Sequence, residues 1–352
     1  MRRHGHSFSL FEARSRLGGR VLSIACAQGD QAVDLGPSWY WPDSQPRVAC
    51  LVAELGLANF AQHDHGTTLH LCEAGKTPER LEGESVHHGA CRLTGGMTCL
   101  ADALAADLPR EAIHLGHSLT SLSEQEGWIA LSFLGGERTT EITARSVVLA
   151  LPPRLLEEHV QFEPELDSKI SEAMRAAATW IAARAKAFIA YGKAYWREDG
   201  YSGNAFVTHE QAVIGEIYDA CDESDRAAAP GGFLALPPEM RKSFSGGLPL
   251  LIASQMSQIF GPALESEGEQ HYQDWALERY TCSALDLTGP EAAQKDFDNP
   301  ILRQPLWGGE LYLGGSETAA HGTVNLEGAV EAAHRISREI CRSQKALGHD
   351  AS

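Results

Sequence analysis

Along the first 35 residues apolar and polar positions alternate in short stretches. Phe8, Leu10 and Phe11 predict a brief half-buried strand that closes on Glu12. Residues 21–35 predict strand, turn and strand. The period then lengthens: residues 46–57 carry apolar side chains at helical spacing and stop at Gly56, so a short amphipathic helix is expected there. Residues 60–92 return to alternation, and a Gly95-Gly96 turn leads into a helix with Leu100, Leu104 and Leu108 on one face.

The middle of the chain predicts strands at 113–115, 119–122, 128–133 and 145–151, divided by turns at Glu126-Gly127 and Gly135-Gly136. Residues 166–192 predict a helix and then an apolar strand over 185–191. Paired strands are expected around 216–219 and 231–235, followed by helix over 239–260. Near the C-terminus, Leu311 to Leu313 predict a strand, Gly314-Gly315-Ser316-Glu317-Thr318 a turn, and the residues after 323–326 a helix.

The 352 residues, 43% of them hydrophobic, are enough for one large or two interleaved domains with a substantial core. With 29 Lys+Arg against 47 Asp+Glu the formal charge is −18, and no basic run interrupts it. Nucleic acid or an anionic membrane as main partner is therefore not expected, whereas a small cationic substrate is compatible. Eight cysteines without C-x-x-C spacing suggest free thiols in a reducing cytoplasm. No apolar run approaches the length of a membrane span. His63, His65, His70, His87 and His88 cluster in sequence, and His63 and His65 would share one strand face; lacking an accompanying carboxylate or cysteine pattern, they are read as ordinary histidines and no metal site is expected.

Candidate chemistry concentrates at the two ends. Glu12 closes a strand and is followed by Arg14, Arg16, the pair Gly18-Gly19 and Arg20. A strand-end carboxylate can accept hydrogen bonds from ribose hydroxyls, while a glycine turn lets backbone amides approach phosphates. Lys186 stands in a strand with apolar neighbours, a costly placement unless something satisfies it or the strand is an edge.

The run EARSRLGGR resembles the segment after the second strand of the FAD domain in flavin-dependent amine oxidases, the monoamine oxidase superfamily. The C-terminal run YLGGSETAAHGTVNLEGAV resembles that family's second signature, and VDLGPSWYW its D-x-G-x-x-[WY] segment. The resemblance implies an α/β fold: an FAD-binding Rossmann-like domain over residues 1–45, 93–158 and 300–345, interleaved with an α+β substrate domain over 46–92 and 159–299, with 346–352 as a tail. In the family a G-x-G-x-x-G strand, turn and helix precede the acidic residue by about 20 residues. Here eleven residues precede Glu12, and residues 1–7 read as the last turn of that helix. The expectation is that the first strand is missing, through a start lying upstream or through natural loss.

The resemblance further implies non-covalent FAD, because Ala284 stands where flavinylated members have cysteine. It assigns cofactor contacts to Glu12, Arg14, Gly18, Gly19, Arg20, Gly36, Pro37, Ser38, Leu119, Ala150, Gly315, Ser316, Glu317, Asn325 and Leu326, with Glu327 near the helix start. Lys186 takes the family's place for the lysine that bonds a water at flavin N5. Trp275, Leu285 and Asn325 fall at the substrate pocket, where Leu285 and Asn325 replace the two tyrosines of an aromatic cage. The implied reaction is hydride transfer from an amine to FAD, imine hydrolysis, and reoxidation by oxygen to hydrogen peroxide; a homodimer is compatible with it. Two other readings stay open: a non-amine FAD-dependent dehydrogenase or desaturase, and an inactive remnant acting as a binding protein.

Overall fold

A computed structural model describes residues 6–27, 32–81, 83, 85–223, 228–265, 268–288 and 299–349, the last six of these by their backbone alone. The N-terminal strand Leu10–Glu12 pairs in parallel with Ile113–Leu115, and Val147–Leu149 pairs in parallel with Leu311–Leu313. Parallel pairs need crossover connections, and here these bring distant parts of the chain together. Beside them lies a four-stranded sheet in the order Arg138–Ala144, Trp128–Gly135, Ser118–Gln125, Gln161–Glu163. Leu122, Ile129, Leu131 and Phe133 from this sheet pack with Leu149, Met174, Leu311 and Leu313 into one core. Phe11 stacks on Phe133 at 4.2 Å and on His114 at 4.5 Å, which fixes the N-terminal strand against that core.

The second body is a seven-stranded sheet in the order Glu269–Asp274, Ala185–Ala190, Pro230–Leu234, Ile214–Asp219, Tyr201–Val207, Thr67–Leu71, Glu79–Leu81. Alternation gives it two faces. Ala187, Ile189, Ile217, Leu234 and Leu69 point to one side, where Ile252, Met256, Ile259 and Phe260 of the helix Leu248–Phe260 cover them. Phe188, Ala190 and Tyr218 point to the other, against Val33, Leu35 and Leu22 from the hairpin Ser23–Ala25 and Ala32–Asp34.

Three points correct or complete the expectations. The segment Arg138–Ala144 is a strand, although only Ile142 and Ala144 supply apolar side chains on it; as a sheet edge it is held by backbone pairing to Trp128–Gly135. The helix expected over 239–260 is two, Pro238–Ser243 and Leu248–Phe260, divided at Gly246 and Gly247. The lysine strand is not an edge, since Ala185–Ala190 is hydrogen-bonded on both sides.

The long helix Leu326–His349 lies against the helix Pro46–Glu54. Glu327, buried at its start, accepts hydrogen bonds from the Arg47 and Val48 amides at 3.2 and 3.0 Å and from Arg47 Nη1 at 2.9 Å. A carboxylate at a helix N-terminus satisfies amides that have no partner within the helix.

Candidate functional site

Glu12 ends its strand with Oε1 accepting from the Arg14 amide at 2.8 Å. Its other carboxylate oxygen has no hydrogen bond among the described residues, so one acceptor at the strand end stays available. The turn beyond it is rigid. Gly18 and Gly19 have φ of 96° and 58°, and a Cβ on Gly18 would lie 2.8 Å from the Val21 carbonyl oxygen. Arg16 holds this turn from within, donating to the Leu17, Gly19 and Val21 carbonyls. Arg14 turns the other way and donates to Glu278 Oε2 at 3.0 Å and Thr281 Oγ1 at 2.8 Å. Its guanidinium is thus spent on tying residues 278–281 to the N-terminal turn.

Arg20 joins the two ends of the chain. Its Nη2 donates to Glu317 Oε1 at 2.5 Å and Ser316 Oγ at 3.1 Å. Gly315, with φ of 92°, opens the Ser316–Thr318 turn, and Thr318 Oγ1 closes it by donating to the Gly315 carbonyl at 3.0 Å. Ala150 lies against this turn, its carbonyl carbon 4.0 Å from where a Gly315 Cβ would stand. Leu119 sits on the strand Ser118–Gln125, packed against the core that also holds Phe11.

Asp34 is buried at the end of its strand and accepts from Ser23 Oγ at 2.6 Å and the Met97 amide at 2.8 Å. Burial raises its pKa, and Arg92, 3.9 Å away, opposes the rise. Gly36 follows where the chain is squeezed: a Cβ there would lie 2.0 Å from the Arg20 carbonyl oxygen, on a backbone already bonded from the Leu35 and Gly36 amides to the Leu22 carbonyl. Gly36→Ala is expected to cost about 1–3 kcal/mol, the usual range for overpacking. A melting temperature equal to that of the unchanged protein would contradict this crowding.

Lys186 reaches this bend from the seven-stranded sheet. Its Nζ donates to the Gly36 carbonyl at 2.6 Å, Ser38 Oγ at 2.8 Å and Tyr218 OH at 3.1 Å. Ser38 and Tyr218 share a hydrogen bond of 2.7 Å, so the three side chains form a closed set, with Pro37 between the two Lys186 contacts on the bend. Burial lowers the Lys186 pKa to about 7, against the pull of Asp34 and Glu216. Around the ammonium stand the rings of Phe233, Tyr218 and Trp39, with centroids 4.6, 5.5 and 5.6 Å from Nζ.

Trp275, expected at the pocket, is buried and donates from Nε1 to the Leu35 carbonyl at 2.9 Å, which anchors the 34–38 bend. Asn325 accepts from the Glu327 and Gly328 amides at 3.0 and 3.4 Å, so its side chain caps the helix whose first residue is Leu326. Leu285 lies in the short helix Ala284–Thr288 and is exposed. Sequence reasoning read His87 as an ordinary histidine and gave Tyr218, Phe233 and Glu216 no role beyond their strands. The last three share the Lys186 face, a fact carried by strand register that no local run shows.

His63 and His65 lie outside any strand, with rings 6.0 Å apart. Among the described residues it is His70, Cys72 and Glu79 whose ligand atoms fall within 4.8 Å of one another. A cysteine and a carboxylate thus do accompany one of the clustered histidines, His70, with Cys72 Sγ 3.3 and 3.6 Å from its two ring nitrogens. All eight cysteines are free. Cys282, near Ala284, has its thiol pKa pushed up to about 12 by burial and by Asp286, so it stays protonated. Among the described residues no helix is long and apolar enough to cross a membrane.

The family described as flavin containing amine oxidoreductase matches residues 1–88 and 71–341. A flavin-containing amine oxidase of Danio rerio is 26% identical over 258 residues, 71% of this chain and 46% of that protein. Amine oxidase A of Equus caballus is 26% identical over 245 residues, 66% of this chain and 43% of that protein. The chain thus spans about half the length of the curated relatives it matches. A solved putrescine oxidase bound to putrescine superposes with a TM-score of 0.79 at 19% identity, over 97% of this chain and 95% of that one. Cyclohexylamine oxidase from Brevibacterium oxydans IH-35A gives 0.75 at 17% identity, over 98% and 95%. At these identities the superpositions establish the fold, an α/β arrangement with a substrate domain.

Proposed function

The chain belongs to the flavin containing amine oxidoreductase family, and from that premise we propose that it binds FAD non-covalently and oxidises an amine to an imine, with oxygen as acceptor and hydrogen peroxide as product. The observation that carries this reading is Lys186, a buried lysine whose Nζ is fixed on the Gly36 carbonyl, Ser38 and Tyr218 where the sheet of the substrate domain meets the 34–38 bend. The residues fit the cofactor. Glu12 keeps an acceptor oxygen for ribose hydroxyls, and Gly18, Gly19 and Gly315 provide backbone without side chains at the two turns. Arg20 and Glu317 hold those turns together. Ala284 offers no sulfur for a covalent bond, and the nearby Cys282 thiol is kept protonated.

When bound, FAD would supply the redox chemistry, acceptance of a hydride from the carbon next to nitrogen and reoxidation by oxygen. The protein's share is orientation and proton handling. With its pKa lowered to about 7, Lys186 can hold or release a proton at Nζ near neutral pH. Trp39, Tyr218 and Phe233 give an aromatic surface beside it and exclude water. The eight free thiols favour the cytoplasm as its compartment.

The test is peroxide release from the FAD-loaded protein presented with a panel of primary and secondary amines. Amine-dependent peroxide is the expected result; flavin retention without turnover of any amine would overturn the activity.

A further inference from the structure

The last two strands at one end of the seven-stranded sheet bring three ligand-type side chains together. His70 and Glu79 are directly paired across Thr67–Leu71 and Glu79–Leu81, so both side chains leave the sheet on one face, with Cβ atoms about 5 Å apart. Cys72 follows His70 by two residues and shares that face, because side chains along extended backbone alternate. The intervening Leu71, like Leu69, points the other way, into the core beneath the helix Leu248–Phe260. Glu79–Leu81 ends the sheet, and here the face is open: His70 is half-buried, while Cys72 and Glu79 are exposed.

Cys72 Sγ lies 3.3 Å from His70 Nδ1 and 4.0 Å from Glu79 Oε2, and the three ligand atoms fall within 4.8 Å of one another. A tetrahedral ion with bonds of about 2.3 Å to sulfur and about 2.0–2.2 Å to nitrogen and oxygen sets its ligand atoms about 3.3–3.7 Å apart. The cluster is slightly wider than that, and side-chain rotation closes the difference. His70 Nε2 stands 3.0 Å from Thr208 Oγ1, and the tautomer that donates there leaves the Nδ1 lone pair open. A ligating histidine is commonly oriented through its other nitrogen in this way. Thr208 is held in turn, its amide donating to the Leu71 carbonyl at 3.1 Å. With His70 fixed, Cys72 is the group that turns, by rotation about its Cα–Cβ bond. Glu79 has no Lys or Arg partner among the described residues, and its neighbour Arg80 is engaged elsewhere, donating to Tyr201 OH at 3.0 Å.

We propose that His70, Cys72 and Glu79 bind a zinc ion, with water as its fourth ligand. An imidazole nitrogen, a thiolate sulfur and a carboxylate oxygen suit zinc, whereas magnesium and calcium take oxygen ligands. The Zn–S bond forms as the Cys72 thiol gives up its proton to the solvent, one proton for each ion bound. The ion ties the outermost strand, three residues long, to its neighbour and to the residue that follows it. Lys186 lies on the same face, in register through Phe233, Glu216 and Phe206 with His70. Four strand spacings, roughly 19 Å, separate the two, so the zinc site is distinct from the flavin site and does not depend on the amine-oxidation reading.

Calorimetric titration of zinc tests the site on the FAD-loaded chain, kept reduced and first stripped of metal by a chelator, beside its Cys72→Ser, Glu79→Gln and Cys50→Ser variants. One ion per chain is expected, with a binding heat that varies with the buffer's ionisation heat as one released proton requires. Cys72→Ser should weaken binding by roughly 100-fold or more and Glu79→Gln by roughly tenfold or more, at least what outer-shell partners contribute. Cys50, another exposed cysteine, serves as the control, and Cys50→Ser should leave binding unchanged. All the changed side chains are exposed, so without zinc the variants should melt with the unchanged protein. Zinc should then raise the melting temperature of the unchanged protein and of Cys50→Ser, and leave that of Cys72→Ser where it was. Failure to bind one zinc per chain, or zinc binding that survives Cys72→Ser undiminished, overturns the proposal.

Discussion

Lys186→Met lowers amine oxidation by roughly 100-fold, the lower end of what a positioned proton-transfer group contributes. The loss should appear mainly in kcat, because Lys186 is fixed by the Gly36 carbonyl, Ser38 and Tyr218 and is proposed to hold or release a proton at Nζ. A stability signature accompanies it. Burial lowers the Lys186 pKa from 10.5 to about 7 in the folded protein, so between these values the unfolded chain binds more protons and stability rises with pH. Below pH 7 the lysine is protonated in both states and its full burial cost is present. Lys186→Met has no such proton, so its stability relative to the unchanged protein is highest below pH 7 and falls as pH rises toward 10.5, by on the order of a few kcal/mol across the window. Denaturant melts at the two ends of that window, with a kcat measurement, check both halves. Equal pH slopes in the two proteins would show that the lysine keeps its ordinary pKa.

Arg20→Ala is expected to cost about 3 kcal/mol of stability and to weaken flavin retention. The Glu317 side chain is 2% exposed and receives 2.5 Å from Arg20, whose own side chain is 29% exposed. Removing the guanidinium leaves a buried carboxylate with Ser316 Oγ at 3.0 Å as its remaining donor among the described residues. Breaking one partner of a buried pair is costly for that reason, whereas replacing both is cheaper. Arg20→Ala combined with Glu317→Gln should therefore be more stable than Arg20→Ala alone. Additive losses in the double variant, read from denaturant midpoints, would show that the two residues are not coupled.

The fold was legible where pattern and turn chemistry agree. Residues 10–12, 185–190 and 311–313 are strands as their apolar runs predict, and Gly56 follows the end of the first helix. Arg138–Ala144 was not legible, because an edge strand rich in threonine is held by backbone pairing with little apolar alternation. At the site, the cost of burying Lys186 pointed to a satisfied lysine, and four oxygens satisfy it, those of the Asp34 and Gly36 carbonyls, Ser38 and Tyr218. What satisfies it was hidden. Ser38 and Tyr218 are 180 residues apart and meet only through the sheet. Arginine type did not reveal arginine role: Arg14 ties Glu278 and Thr281, Arg16 holds its own turn, and Arg20 reaches Glu317. Asn325 likewise serves as a helix cap because a side-chain carbonyl beside free helix amides satisfies them locally.

The measurement that bears most directly on the central claim is the visible spectrum of the purified chain after loading with FAD and removal of free cofactor, followed as an amine is added without oxygen. Retained flavin bands that fade on amine addition and return when air is admitted are the predicted result. A protein that holds no flavin, or whose flavin bands are unmoved by every amine, would contradict the assignment of this chain as a flavin-dependent amine oxidase.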